Sequence, residues 1–275
     1  PDCQREYDNP LDRRFHAQTV ACPDCGPVLS YRKGGAVNED PIGAAVRDIL
    51  SGGIVAVKGI GGFHLACLPE EAPVARLREI KGREAKPFAL MFRDVSDVEA
   101  VCDVSEAERA LLTSFARPIV LIPVRVSAFS ENVTGGSLEY GCFLPYTPVH
   151  RLLLDGVREA GVKALVMTSL NVSGEPILYE DERLPTFAHD EIAGILTHDR
   201  PIVNPSDDSV ARVIDEKPQI LRRARGYAPL PLFIGGTGQA VAAGGDLKAA
   251  SCVFSEGYAY MGPHVGDLED ANCME

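Results

Sequence analysis

Residues 40–59 read "DPIGAAVRDILSGGIVAVKG". Pro41 stands at a helix start, where its missing N–H costs nothing, and glycines stand at the helix end. "IVAVKG" then reads as a buried strand. A helix therefore feeds a strand, and the alternation repeats along the chain. Helices are predicted near 70–80, 95–101, 105–116, 148–159 and 180–188. Between and after them lie the strands "FALMF" at 88–92, "PIVLIPV" at 118–124, "ALVMTS" at 164–169, and later "SVARVI" and "QILRRA". Strands separated by helices predict an α/β layered sheet. "GGTGQAVAAGG", residues 235–245, reads as a junction before a last, short segment.

The chain has 275 residues, 45% of them hydrophobic, enough for a substantial core. With 39 acidic against 27 basic residues its net charge is -12, a field that repels nucleic acid and anionic membrane. A small anion meeting a local basic patch fits this balance better. No apolar run approaches the roughly 20 residues that span a bilayer, and no leader opens the chain, so the reading is cytoplasmic, with reduced thiols. Cys67, Cys102, Cys142, Cys252 and Cys273 lie far apart in mostly apolar settings and read as buried thiols. The start at "PDC" and the stop at "DANCME" read as those of an internal fragment.

Only Cys3, Cys22 and Cys25 have metal-ligand spacing. Three thiols fall one short of a structural zinc site, and a cysteine just before Pro1 would complete a CxxC…CxxC pattern. His16 is the alternative fourth ligand, and incidental surface cysteines are the plain alternative.

"IKGREAKPFALMF", residues 80–92, gathers Lys81, Arg83 and Lys86 at a strand entrance. Pro87 favours extended backbone at Lys86, and on extended backbone Lys81 and Arg83 would share one face. Such clusters are often only solvated loops. Two other strand ends carry phosphate-compatible groups: Lys58 before glycines in "VKGIGGFHL", 57–65, and Ser169, Asn171 and Ser173 in "TSLNVSG", 168–174. Ligands of open α/β sheets bind beyond strand carboxyl ends, which makes the three together a stronger signal than any one. "LRRARGYAP", 221–229, adds Arg222, Arg223 and Arg225. Asp207 and Asp208 could help hold Mg²⁺ or could be caps. His64, His150 and His264 are scattered, and a lone histidine is more often structural. No nucleophile elbow, Walker A loop or dinucleotide fingerprint is present.

In order along the chain, "RRFHAQTVACPDCGP", "KGIGGFHLAC", "REAKPFALM", "LPYTPVHRLLL", "MTSLNVSGEPI", "HDRPI…DDSVAR" and "LRRARGYAP" resemble the hydrogenase maturation carbamoyltransferases of the HypF family. The resemblance implies three parts. Residues 1–34 would be the C-terminal part of a zinc knuckle, 35–232 a YrdC-like open twisted mixed sheet with helices, and 233–275 a linker and the first strands of an actin-like transfer domain. It implies ATP, Mg²⁺ and Zn²⁺ as cofactors. Carbamate from carbamoyl phosphate would attack the α-phosphate of ATP, giving carbamoyl adenylate for transfer to the C-terminal cysteine of HypE, on the way to the cyanide ligands of [NiFe]-hydrogenase iron. It assigns Lys81, Arg83 and Lys86 to phosphate and carbamoyl oxygens. Lys58, Ser169, Asn171, Ser173, Arg222 and Arg225 would hold the nucleotide, and Cys3, Cys22 and Cys25 the metal. Fixed cations are the usual remedy for bringing a carboxylate-like nucleophile to a triphosphate. Leu170 stands where the family pattern has Gly, which predicts a strained left-handed loop there.

Three other readings compete. A threonylcarbamoyl-adenylate synthase for tRNA modification would share the sheet and the cations, but not the knuckle or the "GGDLK…HVGDL" segment. An RNA-binding module is weighed down by the acidic charge and the lack of an aromatic and basic stripe. A docking module for HypE is the third.

Overall fold

The computed structural model describes residues 2–263 except 19, 23, 35, 84, 172–175, 185–190, 247 and 248. The chain opens with α1 (Asp2–Asp8), β1 (Leu29–Lys33), β2 (Ala36–Asn38), α2 (Pro41–Leu50), β3 (Ile54–Lys58), β4 (Phe63–Cys67) and α3 (Glu71–Lys81). Next come β5 (Ala89–Phe92), α4 (Val95–Glu99), α5 (Glu106–Thr113), β6 (Ile119–Pro123), α6 (Glu131–Thr134), β7 (Glu139–Phe143), α7 (Pro148–Glu159) and β8 (Ala164–Ser169). After a 3-10 turn at Asp181–Arg183 follow β9 (Ile192–His198), β10 (Val210–Ile214) and β11 (Lys217–Arg222). The last described elements are β12 (Leu232–Phe233), β13 (Gln239–Ala242), β14 (Cys252–Ser255) and β15 (Tyr258–Met261).

Strands β1 to β11 form one mixed sheet in the order β11-β10-β6-β7-β5-β8-β4-β3-β9-β1-β2. The pairs β3 with β9, β5 with β7 and β6 with β10 are parallel and the others antiparallel. This is the mixed α/β sheet read from the sequence. Strands β12 to β15 make a separate antiparallel sheet.

Local chemistry sets the helix ends. Asp40 accepts from the Gly43 amide at 3.0 Å and caps α2, Thr147 accepts from the His150 amide at 3.2 Å and caps α7, and Ser105 with Glu108 forms a capping box on α5.

Successive residues of a strand point to opposite faces, so each central strand feeds two cores. Ile54, Ala56, Leu65, Cys67, Leu90, Phe92 and Val166 enter the first, packed with Val74 and Leu77 of α3, Val98 of α4, Leu111 and Leu112 of α5 and Val133 of α6. Val55, Val57, Ala66, Met91, Leu165 and Met167 enter the second, packed with α2 and with Leu153, Leu154 and Val157 of α7. Every helix between β5 and β7 thus lies on the first face. The second face of β5, β7, β6 and β10 has no helical cover from those connections, and there the cavity lies.

Three expectations change. The helix near 180–188 is a 3-10 turn at Asp181–Arg183, with residues 185–190 outside the described set. The junction at 235–245 holds a strand, since Gln239–Ala242 pairs with Cys252–Ser255. "KGIGGFHL" is a hairpin turn running into β4, and its glycines answer to packing. A Cβ on Gly61 would lie 2.2 Å from the Ser206 carbonyl oxygen, and one on Gly62 2.4 Å from Ile177. The Gly61 carbonyl accepts from the Ser206 amide at 2.9 Å, so backbone fills the space an anion would need.

Gly61→Ala forces that backbone apart and is expected to cost about 1–3 kcal/mol, as overpacking does. Urea unfolding checks it, and an unchanged midpoint would show that the contact is not needed.

Candidate active site and metal centre

The uncovered part of the second face floors a cavity of about 490 Å³, with Ala89, Ile119, Leu121, Gly141, Met167 and Val210 beneath it. Gly141 leaves the floor open, because a Cβ there would meet Ile119 at 3.1 Å. Of the residues singled out in the sequence, Lys81, Arg83, Lys86, Ser169, Asn171 and Arg222 line this one space. They come from a helix end, a loop and two strand ends far apart in the chain. Thr168, Ser137, Glu139, Arg212, Asp207 and Asp208 also line it.

Lys81 is the last residue of α3, and Gly82 reverses the chain with φ 55°. The first two cations therefore meet through a left-handed helix cap rather than through the extended alternation read from the sequence. Lys81 is 6% exposed and donates to the Ser169 carbonyl at 2.5 Å, the Asn171 carbonyl at 3.1 Å and Asn171 Oδ1 at 2.8 Å. Ser169 Oγ donates to the same Oδ1 at 2.8 Å. Lys81 thus ties the loop after β8 to the end of α3. Burial, with Arg83 and Lys86 nearby and against the opposing pull of Asp207, brings its pKa down to about 7.

Arg83 donates from Nε to the Lys86 carbonyl at 3.0 Å, also bonds the Pro87 carbonyl, and lies 4.7 Å from the Phe88 ring centre. Burial first, then Arg78 and Arg222, lowers its pKa to about 10. Arg78, which the sequence reading missed, braces this loop. Its guanidinium donates to the Arg83 carbonyl at 2.9 Å and bonds the Asn132 carbonyl, and it lies 4.9 Å from the same ring. No sequence pattern marks Arg78. Glu139 and Arg212, an ion pair that also lines the cavity, are each the single charged residue of an otherwise mostly apolar strand, β7 and β10, and no pattern marks them.

Three of the singled-out cations do not line the cavity. Arg223 instead donates to the Tyr227 and Leu230 carbonyls at 2.8 and 2.9 Å. Lys58 shares the strand side of Ile54 and Ala56, whereas the floor belongs to the other side. It is 1% exposed, pairs with Asp181 and donates to the His198 carbonyl at 3.1 Å. Arg225 lies behind the wall. Its Nε donates to Asp208 Oδ1 at 2.8 Å, its remaining donors reach the Ala116 and Arg117 carbonyls at 2.9 and 3.0 Å, and it stacks 3.4 Å from the centre of Tyr146. Asp208 is neither a cap nor a free metal ligand, since its other oxygen meets His64 Nε2 at 3.0 Å. Burial works against its charge, but His64 and Arg225 hold it ionised, well below the usual carboxylate range. Leu170 carries no left-handed backbone: it is not among the positive-φ residues, and it sits 4% exposed in the first core, bonded by its amide to the Phe63 carbonyl at 2.7 Å. Ser173, His264 and Cys273 lie outside the described residues. Cys67, Cys102 and Cys142 are buried as read, and Cys252 is half-buried.

Cys3 on α1 meets Cys22 and Cys25, with Sγ separations from Cys25 of 3.0 and 3.6 Å. Sulfurs tetrahedrally placed at about 2.3 Å from zinc stand about 3.8 Å apart. The Cys22 separation is close to this and the Cys3 one shorter, and with all three ligand atoms within 4.8 Å of one another the set could hold a metal ion. Gly26 closes the knuckle, where a Cβ would come within 2.8 Å of the Cys22 carbonyl. His16 is not the fourth member of this cluster. It stacks on Phe15 at 4.0 Å and Tyr7 at 5.0 Å. Hydrogen bonds from the neighbouring backbone lower the Cys22 thiol to about 7.

Comparison with known proteins accords with this geometry. The profile of the Sua5, YciO and YrdC proteins, described as telomere recombination, matches residues 47–224. The chain belongs to that family. The HypF finger matches residues 1–31 and the HypF Kae1-like domain residues 236–275, which puts the chain in the HypF branch. It is 49% identical to the carbamoyltransferase HypF of Rhodobacter capsulatus over 285 aligned residues, covering all of this chain and 37% of that protein. It thus spans little more than a third of that relative's length. A full-length HypF solved in its phosphate- and nucleotide-bound form superposes with TM-score 0.92 at 41% identity, over 99% of this chain and 36% of the other. Threonylcarbamoyl-AMP synthase of Mus musculus is a more distant relative, 30% identical over 48% of this chain and 46% of its own. Among the described residues no helix is long and apolar enough to cross a membrane.

Two outcomes follow from the site. A bound polyanion favours charged Lys81, whose pKa in the free protein is about 7. Polyphosphate binding at pH 8 is therefore expected to take up a proton, up to about one, and to weaken as pH rises through 7 to 9. Calorimetry in buffers of different ionisation enthalpy checks this, with Lys81→Arg as the control that stays charged. Zinc content measured after purification should fall in Cys22→Ser, and an unchanged content would remove Cys22 from the ligand set.

Proposed function

We propose that this chain carries the adenylate-forming part of a carbamoyltransferase of [NiFe]-hydrogenase maturation. The observation that carries the reading is a single cavity lined by Lys81, Arg83, Lys86 and Arg222 in a chain of net charge -12. Its likeness to a HypF solved with phosphate and nucleotide supports it.

In this reading ATP lies with its phosphates against the loop 83–88 and Arg222. A carbamate oxygen attacks the α-phosphorus, the bond to the β-phosphate oxygen breaks, and pyrophosphate leaves with that electron pair. Both reactants are anions, so the cations offset a repulsion that would otherwise oppose their approach. Carbamate is already ionised and needs no base. Arg83 and Lys86 are best placed to meet oxygens on which charge develops, while Lys81 holds the Ser169 to Asn171 loop in register with them. Lys58 and Arg225 serve from outside the cavity, Lys58 by pairing with Asp181 across the sheet's other face. Magnesium would arrive on the phosphates and neutralise part of their charge, with Asp207 and Glu139 among the carboxylates lining the cavity. Carbamoyl phosphate is the proposed source of carbamate, and the C-terminal cysteine of HypE, in the cytoplasm, the final acceptor.

The experiment is mass-spectrometric detection of the adenylate from ATP and Mg²⁺, with fresh carbamate in one tube and threonine plus bicarbonate in the other. Carbamoyl adenylate in the first alone is the expected result, and threonylcarbamoyl adenylate in the second would move the chain to tRNA modification. Lys86→Ala is expected to lower formation at least about 100-fold with the fold intact, the scale of losing one preorganised charge contact. Unchanged turnover would remove the loop from the site.

A further inference from the structure

From Asp208 in the cavity wall a buried polar cluster runs back to His64 and Arg225, which do not line the cavity. His64 is 2% exposed, Asp208 6% and Arg225 8%. One Asp208 oxygen meets His64 Nε2 at 3.0 Å and the other meets Arg225 Nε at 2.8 Å. His64 Nδ1 has no partner among the described residues. Asp208 is held ionised, so Nε2 carries the proton it donates, and the bare Nδ1 suits that tautomer.

The place of His64 in the sheet gives the cluster its meaning. In the pairing of β4 with β8, His64 stands opposite Ser169, whose carbonyl accepts from Lys81. On its other side His64 holds Asp208, whose backbone carbonyl accepts from Arg222 Nε at 2.8 Å. The strip from Asp207 to Ser209 is stitched to the segment of Arg222 to Arg225 by more bonds. The Arg225 amide reaches the Asp207 carbonyl at 3.0 Å, the Ala224 amide reaches Ser209 Oγ at 2.8 Å, and that hydroxyl donates to the Arg225 carbonyl at 2.9 Å. One imidazole therefore joins the two cationic walls of the cavity.

We propose that His64, acting through Asp208, is a positioning residue that fixes the Arg222 guanidinium in the cavity at a set distance from the Lys81 and Arg83 wall. It rests on the functional reading above only for what the cavity binds. The physical case is that a buried carboxylate held by the His64 imidazole and the Arg225 guanidinium, with the Tyr146 hydroxyl as a further partner, has one orientation, and losing the His64 donor leaves one oxygen under-satisfied and the strip less firmly held. Arg222 alone is a half-buried surface arginine. Tied to Asp208 it becomes a fixed charge, and only a fixed charge is preorganised for a developing one.

The test uses the chain itself with inorganic pyrophosphate as probe, in the wild type, His64→Leu, His64→Gln and Arg222→Ala, and in the double variant His64→Leu with Arg222→Ala. His64→Leu is expected to weaken pyrophosphate binding about tenfold. His64→Gln, whose side-chain amide can donate to Asp208, should recover most of the loss, and His64→Leu should add no further loss in the Arg222→Ala background. Additive losses would overturn the proposal, as would a His64→Gln variant as weak as His64→Leu while equally folded. A ligand-free arm separates this inference from the functional reading: NMR measurement of Arg222 Nε–H exchange. Faster exchange in His64→Gln than in wild type by less than in His64→Leu, with Lys81 contacts unchanged, supports the positioning role even where wild-type protein binds no pyrophosphate and the functional reading fails. Exchange unaffected by either His64 variant overturns it.

Discussion

The strictest constraint on this molecule is the two-residue period of its central strands, each buried on both sides. Because Ile54 and Ala56 face one core and Val55 and Val57 the other, every polar residue in such a strand is committed to one face by parity alone. Lys58 falls on the first face and is absorbed by Asp181, while Ser169 falls on the second and lines the cavity, with His64 paired opposite it and behind the wall. A shift of one residue in β3 or β4 would exchange those fates.

The second dependency is where the helices go. The connections after β5 and β6 place α4, α5 and α6 on the first face, so on the second these connections give no helical cover to β5, β7, β6 and β10, where only Met91, Phe143 and Ile119 are buried in the second core. A bare sheet face would ordinarily be apolar surface. Here Gly141 flattens the floor, and cations from α3, the loop after it and the end of β11 stand around the rim. Desolvation makes this cluster costly, which is visible in the lowered pKa values of Lys81 and Arg83. That cost falls when an anion arrives, so the site is poised toward binding.

Much of the fold was legible. The helix over Pro41–Leu50, the helix over Pro148–Glu159 and the strand over Ala164–Ser169 lie where periodicity, proline and caps predict them. The strand Phe63–Cys67 was hidden, because it follows three glycines and a short apolar run has no period that separates strand from loop. In the site, Lys81, Arg83 and Lys86 stood out as a charge cluster, and Ser169 and Asn171 as a polar pair after a strand. Arg78, Glu139 and Arg212 were missed because each is an ordinary charged residue in its own element, given a role only by neighbours distant in sequence.

By itself the sequence determined the elements, the cation-rich loop, the thiol set Cys3, Cys22 and Cys25 and the family likeness, since all of these rest on local spacing and residue type. Only the tertiary structure decided which cations meet. It brought Lys81 and Arg222 to one cavity, turned Lys58 to the other face and buried Arg225 behind Asp208. The reason is physical: local chemistry fixes where a strand begins, but the side to which a charge points, and the partner it finds there, depend on strand register and on which face the helices cover.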